Sequence, residues 1–174
     1  MKPLIIDNFI EQRSFQVLKY TMLGETFCWS YSDAIEHADD VDRFQFTHSF
    51  YRENIGPNSE QYGLLGGHFG FLNTVIQKMR VKEIFRIKAN LLTRTSKIVP
   101  NTFHTDVGGN MGVIPYTTAI FYINTNNGYT EFEDGTKIES VENRWIAFPE
   151  DTPHRGTSCT DEKVRVVINF NYLT

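Results

Sequence analysis

From Ile84 onward the chain repeats every second residue, and that pattern restricts what it can fold into. "FRIKANLLTRT" alternates, with Arg86, Lys88, Asn90, Leu92 and Arg94 on one face. "YTTAIFYIN" is a β-prone run, and "YTEFE", "TKIESV", "RWIAF" and "VRVVINFNY" follow it as further strands. Asn127-Gly128 and Asp134-Gly135, on either side of "YTEFE", read as hairpin turns. Many short strands separated by turns predict a β-sandwich or barrel. The first half reads as mainly helical. "EQRSFQVLKYTMLG" carries Phe15, Leu18, Met22 and Leu23 at helical spacing and stops at Gly24. "YGLLGGHFGFLNTVIQKMR" ends as a second helix, and residues 41 to 58 read as irregular. With 174 residues, no internal repeat and no Pro/Gly/Ser-rich linker, one domain is expected over 1–174. Helical support fills about 1–83, and the β core fills about 84–174.

Composition enters as a set of exclusions. A net charge of -4 gives no overall field toward nucleic acid or an anionic membrane. No apolar run approaches the ~20 residues of a membrane span, and the N-terminal segment lacks the pattern of a signal peptide. Two cysteines, Cys28 and Cys159, make no disulfide framework and read as reduced thiols in a cytoplasmic compartment.

Within the β half, "FHTDVGG" sets His104 two residues before Asp106. In an extended segment both project to one side and reach one ion. Chance alone supplies about 0.26 such pairs in a chain with five His and nine Asp. On the pair alone the plainer reading is stronger: Asp106 caps a turn before Gly108-Gly109, and His104 hydrogen-bonds locally. His154 in "PHRG" changes the balance, because two histidines and a carboxylate are a common ligand set for non-haem iron, whereas a structural zinc site wants four protein ligands. Eleven residues later comes Arg165. In "KVRVVINFNY", Val164, Val166, Ile168 and Phe170 share one face, and Arg165, Val167, Asn169 and Asn171 share the other. An arginine on so apolar a strand either lies in water at an edge or lines a cavity and pairs with an anion.

These residues, in the order "HTD", "YTTAIFYIN", "GYTEFEDG", "NRWIAFPEDTPHRG" and "KVRVVINFNY", resemble the core of the Fe(II)- and 2-oxoglutarate-dependent oxygenases, with the prolyl 4-hydroxylase-like group as the nearest pattern. The match runs from about Ile84 to Thr174, with a looser echo in "LIIDNFIEQRSFQVL". The wording also resembles small members encoded by phages, which implies a host cytoplasm. The resemblance implies a mainly β fold with N-terminal helices around a double-stranded β-helix, the cupin-like jelly roll. It implies His104, Asp106 and His154 as iron ligands, Arg165 on the distal carboxylate of 2-oxoglutarate, Tyr122 reaching the same carboxylate, and Asn169 lining that pocket. Asn90 and Arg94 would lie on a cavity-facing strand. O2 would be the second cosubstrate, with ascorbate as an optional reductant. Many prolyl 4-hydroxylases grip the diacid with a lysine; here Lys163 falls on the opposite strand face, so Arg165 takes that role.

The activity implied is hydroxylation of a C–H bond with release of succinate and CO2, on a peptide or protein substrate of prolyl type. Two alternatives stay open. One is the same chemistry on a small molecule or on nucleic acid, the latter received by the basic cluster Lys78, Arg80, Lys82, Arg86, Lys88, Arg94 and Lys97. The other is a cupin-like metal-binding module that is not an oxygenase.

Overall fold

A computed structural model of the chain describes residues 2–35, 43–52, 63–64, 68–106 and 116–174. Its frame is a large antiparallel sheet built on the alternating second half. Strand β11 (Val164–Leu173) sits at its centre, hydrogen-bonded on one side to β5 (Glu83–Thr93) and on the other to β6 (Thr117–Tyr122). The sheet continues outward from β6 through β9 (Trp145–Pro149) to β1 (Leu4–Ile6). From β5 it continues through β3 (Gln45–Arg52) to β2 (Ser30–Ser32), with the short β4 (Gly63–Leu64) also paired to β3. A second sheet of three strands has the order β10 (His154–Gly156), β7 (Asn126–Phe132), β8 (Lys137–Ser140).

Alternation along the central strands decides what each face does. Ile87 and Ala89 of β5, Ala119 and Phe121 of β6, and Val166, Ile168 and Phe170 of β11 belong to one buried cluster. Helix α1 (Gln12–Leu23) closes that face. The Glu11 carboxylate caps its first turn by accepting from the N–H groups of Arg13 and Ser14, each at 2.9 Å. Gly24 ends it where a Cβ would come within 2.8 Å of the Tyr20 carbonyl oxygen. Phe15, Leu18 and Met22 point inward as their spacing predicts, while Leu23 is 40% exposed. Each buried side chain of this size contributes roughly 1.5–3 kcal/mol. Helix α2 (Asn73–Met79), after a 3-10 turn at Phe69–Leu72, adds Val75 to the same core. The other face of β6 and β11 offers Ile120, Tyr122 and Val167, which pack with Phe132 and Ile138 of the small sheet. No helix among the described residues is long and apolar enough to cross a membrane.

Two sequence expectations are corrected. Among the described residues the first half is not mainly helical: β2, β3 and β4 lie in it, and β3 occupies much of the stretch read as irregular. A register irregularity between Ser49 and Tyr51 interrupts the alternation that would have revealed β3. Asn127-Gly128 is not a hairpin turn but part of β7, at an irregularity between Asn126 and Tyr129. Asp134-Gly135 does turn the chain between β7 and β8, with Gly135 at φ 85°.

One histidine sits in the helix-side core. His48 is 9% exposed, against the rings of Phe27 and Phe50. Its Nδ1 lies 2.8 Å from the Cys28 carbonyl oxygen, which can only accept, so Nδ1 carries the proton. Burial, opposed by that carbonyl and reinforced by His68, holds the imidazole below its usual pKa of 6.5. The unfolded chain therefore binds more protons below 6.5, and stability rises with pH through that window. Denaturant unfolding at about pH 7.5 and about pH 5.5 should show lower stability at the acid value, and His48→Gln should reduce that difference. An unchanged pH dependence in the variant would assign the acid sensitivity to other groups.

Candidate metal centre and adjoining cavity

His104 and His154 meet through backbone pairing. The His104 N–H donates to the His154 carbonyl and the His154 N–H to the His104 carbonyl, both at 3.0 Å. This two-way bridge brings the rings to 4.7 Å between centroids. Each imidazole directs Nδ1 at a carbonyl two residues earlier, Thr102 at 3.2 Å and Thr152 at 3.0 Å. Those carbonyls fix the tautomers with Nδ1 protonated and leave Nε2 as the ligand atom. Asp106 completes the group. One ligand atom from each of His104, Asp106 and His154 lies within 4.8 Å of the others. The Asp106 side chain is 3% exposed, and Oδ1 is 3.7 Å from Nε2 of His104. Burial pushes its carboxyl up, but the adjacent His104 imidazole and the charge of Arg86 outweigh that and hold it well below the usual carboxylate range. Burial holds His154 below its ordinary value, as a neutral ligand requires. Gly108-Gly109 lie outside the described residues.

A cavity leads from the two histidines toward Arg165, with Ile120, Val167, Asn90 and Asn169 among its lining residues. Arg165 is 4% exposed. Its Nε donates to the Ser140 hydroxyl at 2.8 Å and Nη2 donates to the Thr130 hydroxyl at 3.2 Å. The guanidinium lies 5.7 Å from the centroid of the Tyr122 ring. No carboxylate pairs with Arg165 among the described residues, and burial pushes its pKa below the ordinary arginine value. The cavity also holds two acceptors without partners, Oδ1 of Asn90 and Oδ1 of Asn169. A buried cation without a counter-ion among the described residues and two unsatisfied amide oxygens are costly to bury, and an anionic, hydrogen-bonding ligand that also carries a donor relieves both. Together with the two-histidine, one-carboxylate donor set, they fit a site for a metal and a carboxylate compound.

Other predicted residues are distributed as follows. Tyr122 is fully buried beside Arg165, and its hydroxyl donates to Thr130 Oγ1 at 2.8 Å. Lys163 and Arg94 are exposed and lie outside the cavity lining. Two members of the basic cluster have partners within the chain: Lys82 Nζ donates to the Thr174 carbonyl at 3.0 Å, and Arg86 turns inward to Asp106 at 3.2 Å. Arg86, Asn171, Thr130 and Ser140 are site residues that sequence reasoning did not assign. Asn171 stood on the correct face of β11, and that alternation was the available signal.

No protein-family profile and no curated protein matches the chain. Solved structures do. A viral collagen prolyl hydroxylase from Paramecium Bursaria Chlorella virus-1, bound to 2OG, matches at TM-score 0.63 and 14% identity over 100% of this chain and 97% of its own. An oxidoreductase of the 2OG-Fe(II) oxygenase family from Burkholderia pseudomallei matches at TM-score 0.67 and 9% identity, covering 98% and 85%. A Trichoplax adhaerens prolyl hydroxylase, in complex with a hypoxia inducible factor oxygen degradation domain peptide fragment, matches at TM-score 0.61 and 14% identity, covering 98% and 83%. The chain therefore has the fold of these oxygenases across nearly its whole length.

Gly128 makes room for Arg165. A Cβ there would fall 2.7 Å from Arg165 Cδ and 2.8 Å from the Ser158 carbonyl oxygen, whereas at Gly70 it would meet nothing within 4 Å. Gly128→Ala should lower stability by roughly 1–3 kcal/mol through overpacking. Gly70→Ala should change it by no more than about 0.5 kcal/mol. Denaturant unfolding of the two variants checks this, and equal stabilities would contradict the close fit at Gly128.

Proposed function

We propose that the protein is an Fe(II)- and 2-oxoglutarate-dependent oxygenase that hydroxylates a C–H bond of a peptide or protein substrate, with a prolyl side chain as the leading target. One observation carries the reading: a buried arginine without a carboxylate partner among the described residues shares a cavity with a two-histidine, one-carboxylate group. The paired sheets enclosing that cavity are read as a jelly roll. The peptide assignment rests on the prolyl hydroxylases among the structural neighbours, one of them bound to a peptide. Inward use of Arg86 weakens the nucleic-acid alternative. A metal-binding module without oxygenase activity would have no use for Arg165. Free thiols at Cys28 and Cys159 fit a reducing compartment such as the cytoplasm.

His104, Asp106 and His154 would hold the iron through one donor atom each. Iron so bound supplies the redox chemistry in which O2 oxidises both the oxo acid and the substrate: C–H plus 2-oxoglutarate and O2 becomes C–OH plus succinate and CO2. The chain's own work is positional. Arg165 would anchor the far carboxylate of the cosubstrate through the guanidinium edge that faces Gly156, where a Cβ would stand 3.2 Å from Nη1. Asn169 and Asn90 would satisfy their orphaned amides against the same ligand or a water it carries. Tyr122 and Thr130 would support the guanidinium. Ile120 and Val167 exclude water between the two ends.

Fe(II)-dependent succinate formation from 2-oxoglutarate, with or without a proline-containing peptide, tests the reading. Asp106→Ala and His154→Ala should abolish it while far-UV circular dichroism is preserved; unaltered turnover in both would remove the iron assignment. Arg165→Ala should raise the KM for 2-oxoglutarate by about 10- to 150-fold, the range given by loss of a charge-assisted hydrogen-bond pair, and should alter metal affinity much less. A wild-type KM would transfer the diacid to another group.

A further inference from the structure

Arg86 and Asn171 face each other in register on β5 and β11. Arg86 Nη2 lies 3.2 Å from Oδ1 of Asp106, and its Nε donates to the Asn171 side-chain oxygen at 2.9 Å. Asn171 Nδ2 in turn donates to Oδ2 of Asp106 at 3.2 Å and to the Thr118 hydroxyl at 3.0 Å. Guanidinium, amide and carboxylate thus form a closed ring, and each carboxylate oxygen has its own donor. Asp106 lies outside any strand, so its local backbone does not fix its side chain. The ring supplies that constraint from the most extensively paired part of the large sheet. Asn171 is fully buried and Thr118 is as well, so the anchor is rigid, while the Arg86 side chain is 22% exposed.

We propose that Arg86 and Asn171 are positioning residues that set the orientation in which Asp106 meets the metal, an inference that rests on the metal reading above. Arginine suits the task because its planar fork bridges two acceptors at once, Asp106 and Asn171; a lysine ammonium keeps the charge but not that fixed two-point grip. The charge by itself acts in the opposite direction, since a cation beside the ligand repels an incoming dication. Positioning and charge therefore predict opposite results for Arg86→Gln, and for Arg86→Lys positioning predicts a loss where charge predicts no change.

The test is Mn(II) binding to the full chain, followed by the free-ion paramagnetic resonance signal, with the Co(II) absorption spectrum reporting coordination and metal-free thermal unfolding reporting the fold. Arg86→Lys, Arg86→Gln and Asn171→Ala should each weaken Mn(II) about 10- to 100-fold, the usual consequence of losing a group that orients a ligand. They should also alter the Co(II) spectrum, and the Arg86 variants should do so with little change in metal-free unfolding. Wild-type affinity in Arg86→Lys, or tighter binding in Arg86→Gln, overturns the inference and leaves the proposed function standing. A wild-type chain that takes up neither Mn(II) nor Co(II) overturns both.

Discussion

A buried guanidinium with no carboxylate partner among the described residues is the constraint the rest of the structure accommodates. Removing a charge from water costs several kcal/mol, and neutral hydroxyls recover only part of that. Arg165 receives what neutral groups can give: Ser140 and Thr130 accept from it, and the Tyr122 ring faces it. Gly128 and Gly156 leave room where any side chain would press on it. Such an arrangement suits a charge that arrives from outside, as the proposed function requires. The same arrangement would be a poor structural device, because an apolar residue of similar volume would cost less.

Strand β11 turns that constraint into geometry. Paired on both edges, it cannot slip by one residue without exchanging its two faces. Val166, Ile168 and Phe170 lock one face into the helix-side core, so Arg165, Val167, Asn169 and Asn171 are committed to the other. From Arg165 to Asn171 is six residues, roughly 20 Å along the strand. One end holds the unpaired guanidinium and the other contacts Asp106. Val167 and Asn169 form the floor between them. The core face therefore sets the register of the polar face, and fold stability and site geometry depend on the same alternation.

That dependence explains what could be read in the sequence. The two faces of β11 follow from a period of two, which is local information, whereas that period alone left Arg165 either in water at an edge or inside a cavity. The convergence of His104, Asp106 and His154 is not local; it was legible only because the motif order resembles a known family. Arg86 was hidden differently. Its side of β5 was evident, but its partner was not, since the contact needs both the β5–β11 register and the turn after His104. It was read as one cation in a basic run. Gly128 was misread because Asn-Gly favours a hairpin turn, while here the glycine serves a close approach to Arg165 within a strand. β3 escaped notice for a related reason: its pairing with β5 carries it through an irregularity that local pattern does not reveal.

The two arginines of the site divide the electrostatic work. Arg86 is satisfied within the chain by Asp106, so that pair contributes no net charge to the interior, and Arg165 contributes one positive charge. A dication entering alone would add two more positive charges to a region that already carries one. A dianionic oxo acid entering alone would meet Arg165 but leave its second carboxylate without a cation. Together they add nothing to the net charge, and each lowers the cost of the other's burial. On the proposed function, metal and cosubstrate should therefore bind with positive coupling, each strengthening the other by the same factor as linkage requires. On that reading the cavity provides the physical route for the coupling, because His104, His154 and Arg165 all line it.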